Sequence, residues 1–231
     1  MNNTTSKTAL LAGATGLIGN EVLQLLMNDD TYTSVVLVTR KPLSISHPKA
    51  KNIVIDFDKL HELSLHVQHV DDVFCCLGTT MATAGSKEAF YKVDFTYCYE
   101  LAKVSLLMNA KQFLIVSAMG ANLKSSIYYN RVKGEIENKL KELSFESLKI
   151  LQPSMLLGNR KERRPGELDA KRLFKALAFI FVGSLKKYKA IEASDVAKAM
   201  LSIAKMNVKG IESFQSDRLK AIADTVEESI I

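Results

Sequence analysis

The feature that most limits how this chain can fold is Lys7-Thr-Ala-Leu-Leu-Ala-Gly-Ala-Thr-Gly-Leu-Ile-Gly19, an apolar run that breaks into glycines and resumes with helical spacing. Gly13, Gly16 and Gly19 stand three apart. A turn built on them can take positive φ, a phosphate can approach its backbone without meeting a Cβ, and the next helix can pack close to the strand. Beyond the turn, Ile18, Val22, Leu23, Leu25 and Leu26 follow a helical period. Thr15, Gly16, Leu17 and Ile18 therefore fall at a helix N-terminus, whose unpaired N–H groups and positive dipole end suit a pyrophosphate. The spacing is Gly-x-x-Gly-x-x-Gly, and a tight strand-to-helix turn without a ligand would use the same residues. A second strand-like run, Ser34 to Thr39, follows at the interval of a βαβ unit, which favours a dinucleotide.

That second run ends in Arg40-Lys41. A dinucleotide fold that selects NAD places an acid about 20 residues past the glycines to bind the ribose 2′-hydroxyl, whereas a cation there accommodates the 2′-phosphate of NADP. Arg40 and Lys41 thus point to NADP(H); read without the glycines they are an exposed basic pair. A third strand, Asn52 to Phe57, carries Asp56, placed to accept from the adenine amino group or to cap the next helix. His61, His66 and His69 lie in a polar, helical stretch without a cysteine or carboxylate at chelating spacing, so no metal site is expected.

Asp72 to Thr80 supplies a fourth strand and a turn, Leu77-Gly78-Thr79, at the strand end where doubly wound sheets bind cofactors. Phe90, Val93, Tyr97, Leu101, Val104 and Leu107 predict one long amphipathic crossover helix from Lys87 to Met108. The fifth strand, Gln112 to Ser117, delivers Ser117 to the sheet edge. Tyr129 and Lys133 then sit four apart at the start of a helix, so an ammonium shares a face with a phenol and favours its phenolate form. Such a tyrosine can trade a proton with a substrate oxygen that Ser117 also hydrogen-bonds. Tyr99 and Lys103 have the same spacing but lie in the crossover helix before the fifth strand, so Tyr129 is the expected acid. Together these elements predict an α/β fold, a doubly wound, largely parallel Rossmann sheet with helices on both faces.

The glycine turn with Ser117, Tyr129 and Lys133 resembles the short-chain dehydrogenase/reductase superfamily in its atypical or extended branch. Phe74-Cys-Cys-Leu-Gly-Thr-Thr80, Val132-Lys-Gly-Glu-Ile-Glu137 and Arg164-Pro-Gly-Glu167 are similar to segments of the Tat-interacting oxidoreductase group and its bacterial relatives. The resemblance implies NADPH binding, a Ser-Tyr-Lys set at Ser117, Tyr129 and Lys133, and Lys133 on the nicotinamide ribose hydroxyls. It also implies that Gln152-Pro153 and the residues after them, following a sixth strand from Ser147 to Leu151, lie beside the nicotinamide. One departure is Gln152, where relatives usually carry Arg.

With 231 residues the chain suits one NAD(P)-binding domain over residues 1–231, with a small C-terminal substrate-binding portion at about residues 155–190. The net charge of +6 is spread along helices, and no aromatic-basic interleaving marks a nucleic-acid surface. Three cysteines form no disulfide framework, and the polar start has no apolar signal core; both point to a reducing, cytoplasmic setting. Residues 160–167 read as a charged connector or a substrate-holding loop. Ala176 to Val182, too short to cross a bilayer, reads as a pocket wall or as the contact of a homodimer, with binding to a membrane surface as the lesser alternative. Ser194 or Asp195 is the expected N-cap of a helix, and a last acidic helix is expected from about Ile222. The function expected is hydride transfer between NADP(H) and a small carbonyl or alcohol. The alternative is a non-catalytic NADPH-binding regulatory or protein-interaction module, which the fold does not exclude; a sugar-nucleotide epimerase would have little chain after Pro153 to enclose its substrate.

Overall fold

Alternating apolar runs and helical stripes resolve, in the computed structural model, into a parallel sheet covered on both sides. The structure describes residues 6–157 and 189–228. The strands are β1 (Lys7–Ala12), β2 (Tyr32–Thr39), β3 (Ala50–Val54), β4 (Asp72–Cys75), β5 (Gln112–Val116), β6 (Ser147–Gln152), the short β7 (Leu156–Leu157) and β8 (Ile191–Glu192), and β9 (Gly210–Gln215). The main sheet has the order β3-β2-β1-β4-β5-β6-β9 and every neighbouring pair in it is parallel. Chain direction in the sheet reverses its progression between β1 and β4, so the loops after these strands diverge and leave a crevice. A separate two-stranded sheet pairs β7 with β8.

Parallel strands are buried on both faces, which is why they read as unbroken apolar runs. Leu10, Val36, Phe113 and Ile150 face one core, closed by a 3-10 segment (Phe57–Leu65) and by the helices α4 (Tyr97–Leu107) and α5 (Tyr128–Lys141). Leu11, Val35, Phe74 and Leu114 face the other, closed by α1 (Leu17–Asn28) and α6 (Ala193–Met206), with α7 (Ser216–Glu228) packed on α6. At the opposite end of the sheet from the crevice, Asp72 ties the strands together. It accepts from Tyr32 Oη at 2.7 Å, Lys7 Nζ at 3.0 Å and Gln112 Nε2 at 3.1 Å.

Several boundaries depart from the sequence reading. The crossover is not one regular helix: short helices α2 (Met81–Ala84) and α3 (Lys87–Tyr91) lead into a π-helical turn, Lys92–Thr96, before α4. The seventh strand, β9, was not expected, because Gly210-Ile-Glu-Ser-Phe-Gln215 has only two apolar residues and Ile211 is exposed. An edge strand needs no second buried face. The last helix starts at Ser216, earlier than Ile222, and α6 begins at Ala193 with Glu192 at its N-cap position and no side-chain cap. Asp195, expected as a cap, instead lies in the first turn and pairs with Lys220 at 3.0 Å. Strand β3 stops at Val54, two residues before Asp56.

Candidate functional site

Gly13, at the end of β1, has φ +90, and a Cβ there would lie 2.4 Å from the Cys76 carbonyl oxygen that follows β4. A Cβ on Gly19 would lie 2.0 Å from the Gly13 carbonyl oxygen. Two of the three glycines are thus required by chain packing alone. Gly16 differs: its φ of −76 suits any residue, and it occupies the N-cap position of α1 with no side chain capping the helix and no acid in the first turn. The N-terminus of α1 is left open for an anion, with exposed Thr15 and half-buried Leu17 at its mouth and buried Ile18 anchoring it. Arg40 and Lys41 are exposed past the end of β2, with the Arg40 guanidinium 5.9 Å from the Phe57 ring centroid. Asp56 Oδ1 accepts from Asp58 N at 3.0 Å, so the capping alternative is realised.

Across the crevice, Leu77 is buried and Gly78 is exposed. Directly beneath them, Lys133 Nζ of α5 lies 2.7 Å from Asp94 Oδ1 of the π-helical turn, with both side chains almost fully buried. Asp94 Oδ2 accepts from Thr79 N at 2.8 Å. A Cβ on Gly78 would sit 3.4 Å from Asp94 and 3.8 Å from Lys133, ordinary contact distances, so the β4 loop lies directly against the pair. Burial by itself lowers the Lys133 pKa, but the Asp94 carboxylate outweighs it and, helped by Tyr129, holds the ammonium above the ordinary lysine range. Burial also pushes the Cys76 thiol up to about 12, which leaves it protonated.

Ser117, just past β5, donates to Glu137 Oε1 of α5 at 2.5 Å. Gln152, at the end of β6, donates through Nε2 to both Glu137 oxygens at 2.9 Å. Gln152, which stands where relatives usually carry Arg, thus holds a buried carboxylate. Ser117, Tyr129, Asn130, Gln152 and Pro153 line a cavity of about 730 Å³ between the ends of β5 and β6. Its rim is fixed by Ser117 N to Leu151 O at 2.7 Å and Met119 N to Pro153 O at 3.0 Å. Gly134 admits the loop onto α5, since a Cβ there would lie 2.5 Å from the Asn122 carbonyl carbon.

The sequence reading brought Ser117, Tyr129 and Lys133 to one place but missed Asp94 and Glu137. Both carried a signal. Asp94 falls on the stripe of Phe90, Tyr97 and Leu101, where an exposed acid does not belong, and half-buried Tyr129 is followed at intervals of four by Lys133 and Glu137, both among the buried residues of α5. The rival pair lies elsewhere: Lys103 bonds to Glu100 at 2.8 Å and Tyr99 is half exposed. The segments at residues 160–167 and 176–182, including Arg164-Pro-Gly-Glu167, lie outside the described residues.

A family model described as NAD(P)H-binding matches residues 13–207. The chain is 34% identical over 200 residues to Protein HTATIP2 of Rattus norvegicus, covering 85% of this chain and 81% of that protein. It is 31% identical over 235 residues to Protein FMP52, mitochondrial, of Lodderomyces elongisporus, covering 97% of each. Among solved structures it is similar to the Bordetella bronchiseptica enzyme WbmH in complex with NAD+, with TM-score 0.67, 15% identity, and 97% of this chain and 81% of that one covered. The UDP-N-acetylglucosamine 4-epimerase of Bacillus cereus has TM-score 0.67 at 20% identity, covering 97% and 86%. At these identities the two structures carry the Rossmann fold and nothing finer. The cytoplasmic placement expected from the sequence is overturned, because FMP52 relatives from Emericella nidulans, Lodderomyces elongisporus and Candida albicans are named mitochondrial. Reduced thiols report a redox environment and not an address. The match across most of its length and the doubly wound fold together make this chain a member of the NAD(P)H-binding family, homologous to Protein HTATIP2.

Proposed function

We propose that the protein is an NADP(H)-dependent oxidoreductase acting on a small carbonyl or alcohol. The observation that carries this reading is that Ser117 and Tyr129 line one cavity at the strand ends, while Lys133, one turn along α5 from Tyr129, is buried under Gly78. The residues present fit the cofactor: an uncapped helix N-terminus follows the glycines, and Gly78 keeps the floor of the crevice free of a side chain. Gly13, Gly16, Gly19 and the α1 amides of Leu17 and Ile18 would hold the pyrophosphate beside Thr15, and Arg40 and Lys41 the 2′-phosphate. Asp56 would stand at the adenine rim, and Leu77, Gly78, Thr79 and Pro153 would border the nicotinamide half.

Bound nicotinamide supplies or accepts the hydride at the substrate carbon. In the reductive direction Tyr129 gives its phenolic proton to the carbonyl oxygen, and Ser117 fixes that oxygen in the cavity. Lys133, held by Asp94, keeps a positive charge beneath the crevice where the ribose hydroxyls would lie. The test is titration with NADPH and NADH, followed by turnover across a panel of aldehydes, ketones and quinones. NADPH binding with turnover of one substrate class supports the reading; binding without turnover of any returns the protein to the regulatory alternative.

A further inference from the structure

Ser117 has one hydroxyl hydrogen, and its Oγ lies 2.5 Å from Glu137 Oε1, so with Glu137 ionised that hydrogen is directed away from the cavity, to the carboxylate. A serine in that state offers the cavity only lone pairs. It can accept from an alcohol or phenol, but it cannot donate to a carbonyl oxygen. The other ligand of Glu137 is Gln152 Nε2, at 2.9 Å from each oxygen, a neutral donor. Among the described residues no cation lies within ion-pair distance of Glu137. Lys133, on the same helix, is bound to Asp94.

From this geometry we infer that Glu137 is a positioning residue that carries a proton and thereby sets whether Ser117 donates or accepts at the substrate oxygen. The inference rests on the hydride-transfer reading for its catalytic consequence. With Glu137 ionised, Ser117 Oγ–H points to the carboxylate, and the cavity presents an acceptor suited to a hydroxyl. With Glu137 protonated, its O–H donates to Ser117 Oγ, and the serine hydrogen is released to a carbonyl oxygen. No bond is made or broken beyond one proton taken up from or lost to solvent.

The surroundings allow that proton. Burial raises the Glu137 pKa, opposed by the hydrogen bonds from Ser117 and Gln152 and by the charges of Lys141 and Lys133. From the elements packed against α5, the chain just after β5 presents Ser117, β6 presents Gln152, the π-helical turn presents Asp94, already paired with Lys133, and α4 presents Tyr99, whose ring centroid lies 5.8 Å from Lys139 Nζ. Two substitutions act in opposite senses. Glu137→Gln is isosteric and permanently neutral, so its amide can donate to Ser117 at every pH. Gln152→Arg puts a cation beside Glu137 and holds it ionised.

The test is infrared titration of the cofactor-free protein, read with the pH profile of carbonyl reduction. The wild type should show a carboxylic-acid C=O band that persists above the pH where ordinary glutamates ionise. The band should be missing in Glu137→Gln and should vanish at lower pH in Gln152→Arg. Reduction by the wild type should fall about tenfold per pH unit above the infrared midpoint, and the Glu137→Gln profile should be flat there. A melting curve and far-UV circular dichroism, measured alongside, should show both variants folded. Absence of the band, or its survival in Glu137→Gln, overturns the inference whatever the protein's activity. A band without the matching turnover profile overturns the control of Ser117, while failure of all turnover would count against the reductase reading.

Discussion

Lys133 Nζ and Asp94 Oδ1 lie 2.7 Å apart with side chains 4% and 1% exposed, joining α5 to the π-helical turn beneath the cofactor crevice. A buried pair of this kind is costly to break by half, because the remaining charge has no counterpart. Asp94→Asn should therefore cost about 3–5 kcal/mol of stability in urea unfolding. Asp94→Asn combined with Lys133→Met should cost less than the single change. A loss below about 1 kcal/mol for Asp94→Asn would place the pair among surface-like bridges. The pH dependence has a definite sign. The folded-state pKa of Lys133 is raised, so its contribution is fully present below the unfolded lysine value of about 10.4 and is lost as pH rises toward the folded one. The stability gap between wild type and the double variant should narrow above pH ~10.4.

The proposed preference for NADPH rests on Arg40 and Lys41, exposed past β2 with no acid in their place. Arg40→Asp removes a charge-assisted phosphate contact of about 1.5–3 kcal/mol and adds repulsion, so NADPH affinity should fall at least tenfold while NADH binding is kept or improved. Calorimetric titration of both cofactors measures this. Equal affinities for NADPH and NADH in the wild type would remove the assignment.

The glycines separate packing from binding. Gly19→Ala would set a Cβ 2.0 Å from the Gly13 carbonyl oxygen and should lower the thermal midpoint or prevent folding. At Gly16 the corresponding contact, to the same oxygen, is 3.2 Å and the backbone conformation is ordinary. Gly16→Ala should stay folded and lose NADPH affinity, as seen by fluorescence titration beside a melting curve. Unchanged affinity would mean that no phosphate approaches this turn.

Tyr129 and Lys133 share a helix face but are assigned different work. Tyr129→Phe removes only a hydroxyl from the cavity wall and should cut turnover by roughly 100-fold or more, with NADPH affinity nearly intact. Lys133→Met should damage both, since it takes away a ribose contact and strands Asp94. A regulatory module gives another pattern, with Lys133→Met weakening NADPH binding and Tyr129→Phe changing nothing. Full turnover in Tyr129→Phe would refute the assignment of the general acid.

The elements that were legible from sequence are those whose cause is local. The glycines between β1 and α1, the apolar runs of β1, β2, β4, β5 and β6, and the stripes of α1 and α5 each express a rule acting within a few residues. That is why the doubly wound fold could be anticipated, and with it the placing of Ser117 and Tyr129 on one cavity at the strand ends. The π-helical turn could not be. Its residues keep a helical apolar stripe, and partners from elsewhere in the chain, Lys133 of α5 and Thr79 N after β4, account for an acid on it. The same holds for β9, whose weak alternation becomes a strand because β6 offers it an edge, from Ser147 with Gly210 to Gln152 with Gln215.

What the sequence by itself determined is the order of strands and helices and the residue types brought to the strand ends, because periodicity and glycine placement are properties of neighbouring residues. Only the tertiary structure decided how those residues are used. Lys133 is tied to Asp94, the Ser117 hydroxyl meets Glu137, and Gln152 holds that carboxylate from a third element. Each partner comes from a segment distant in the chain. A buried charge or hydroxyl must find its partner wherever packing places one, and no rule of local spacing can name it.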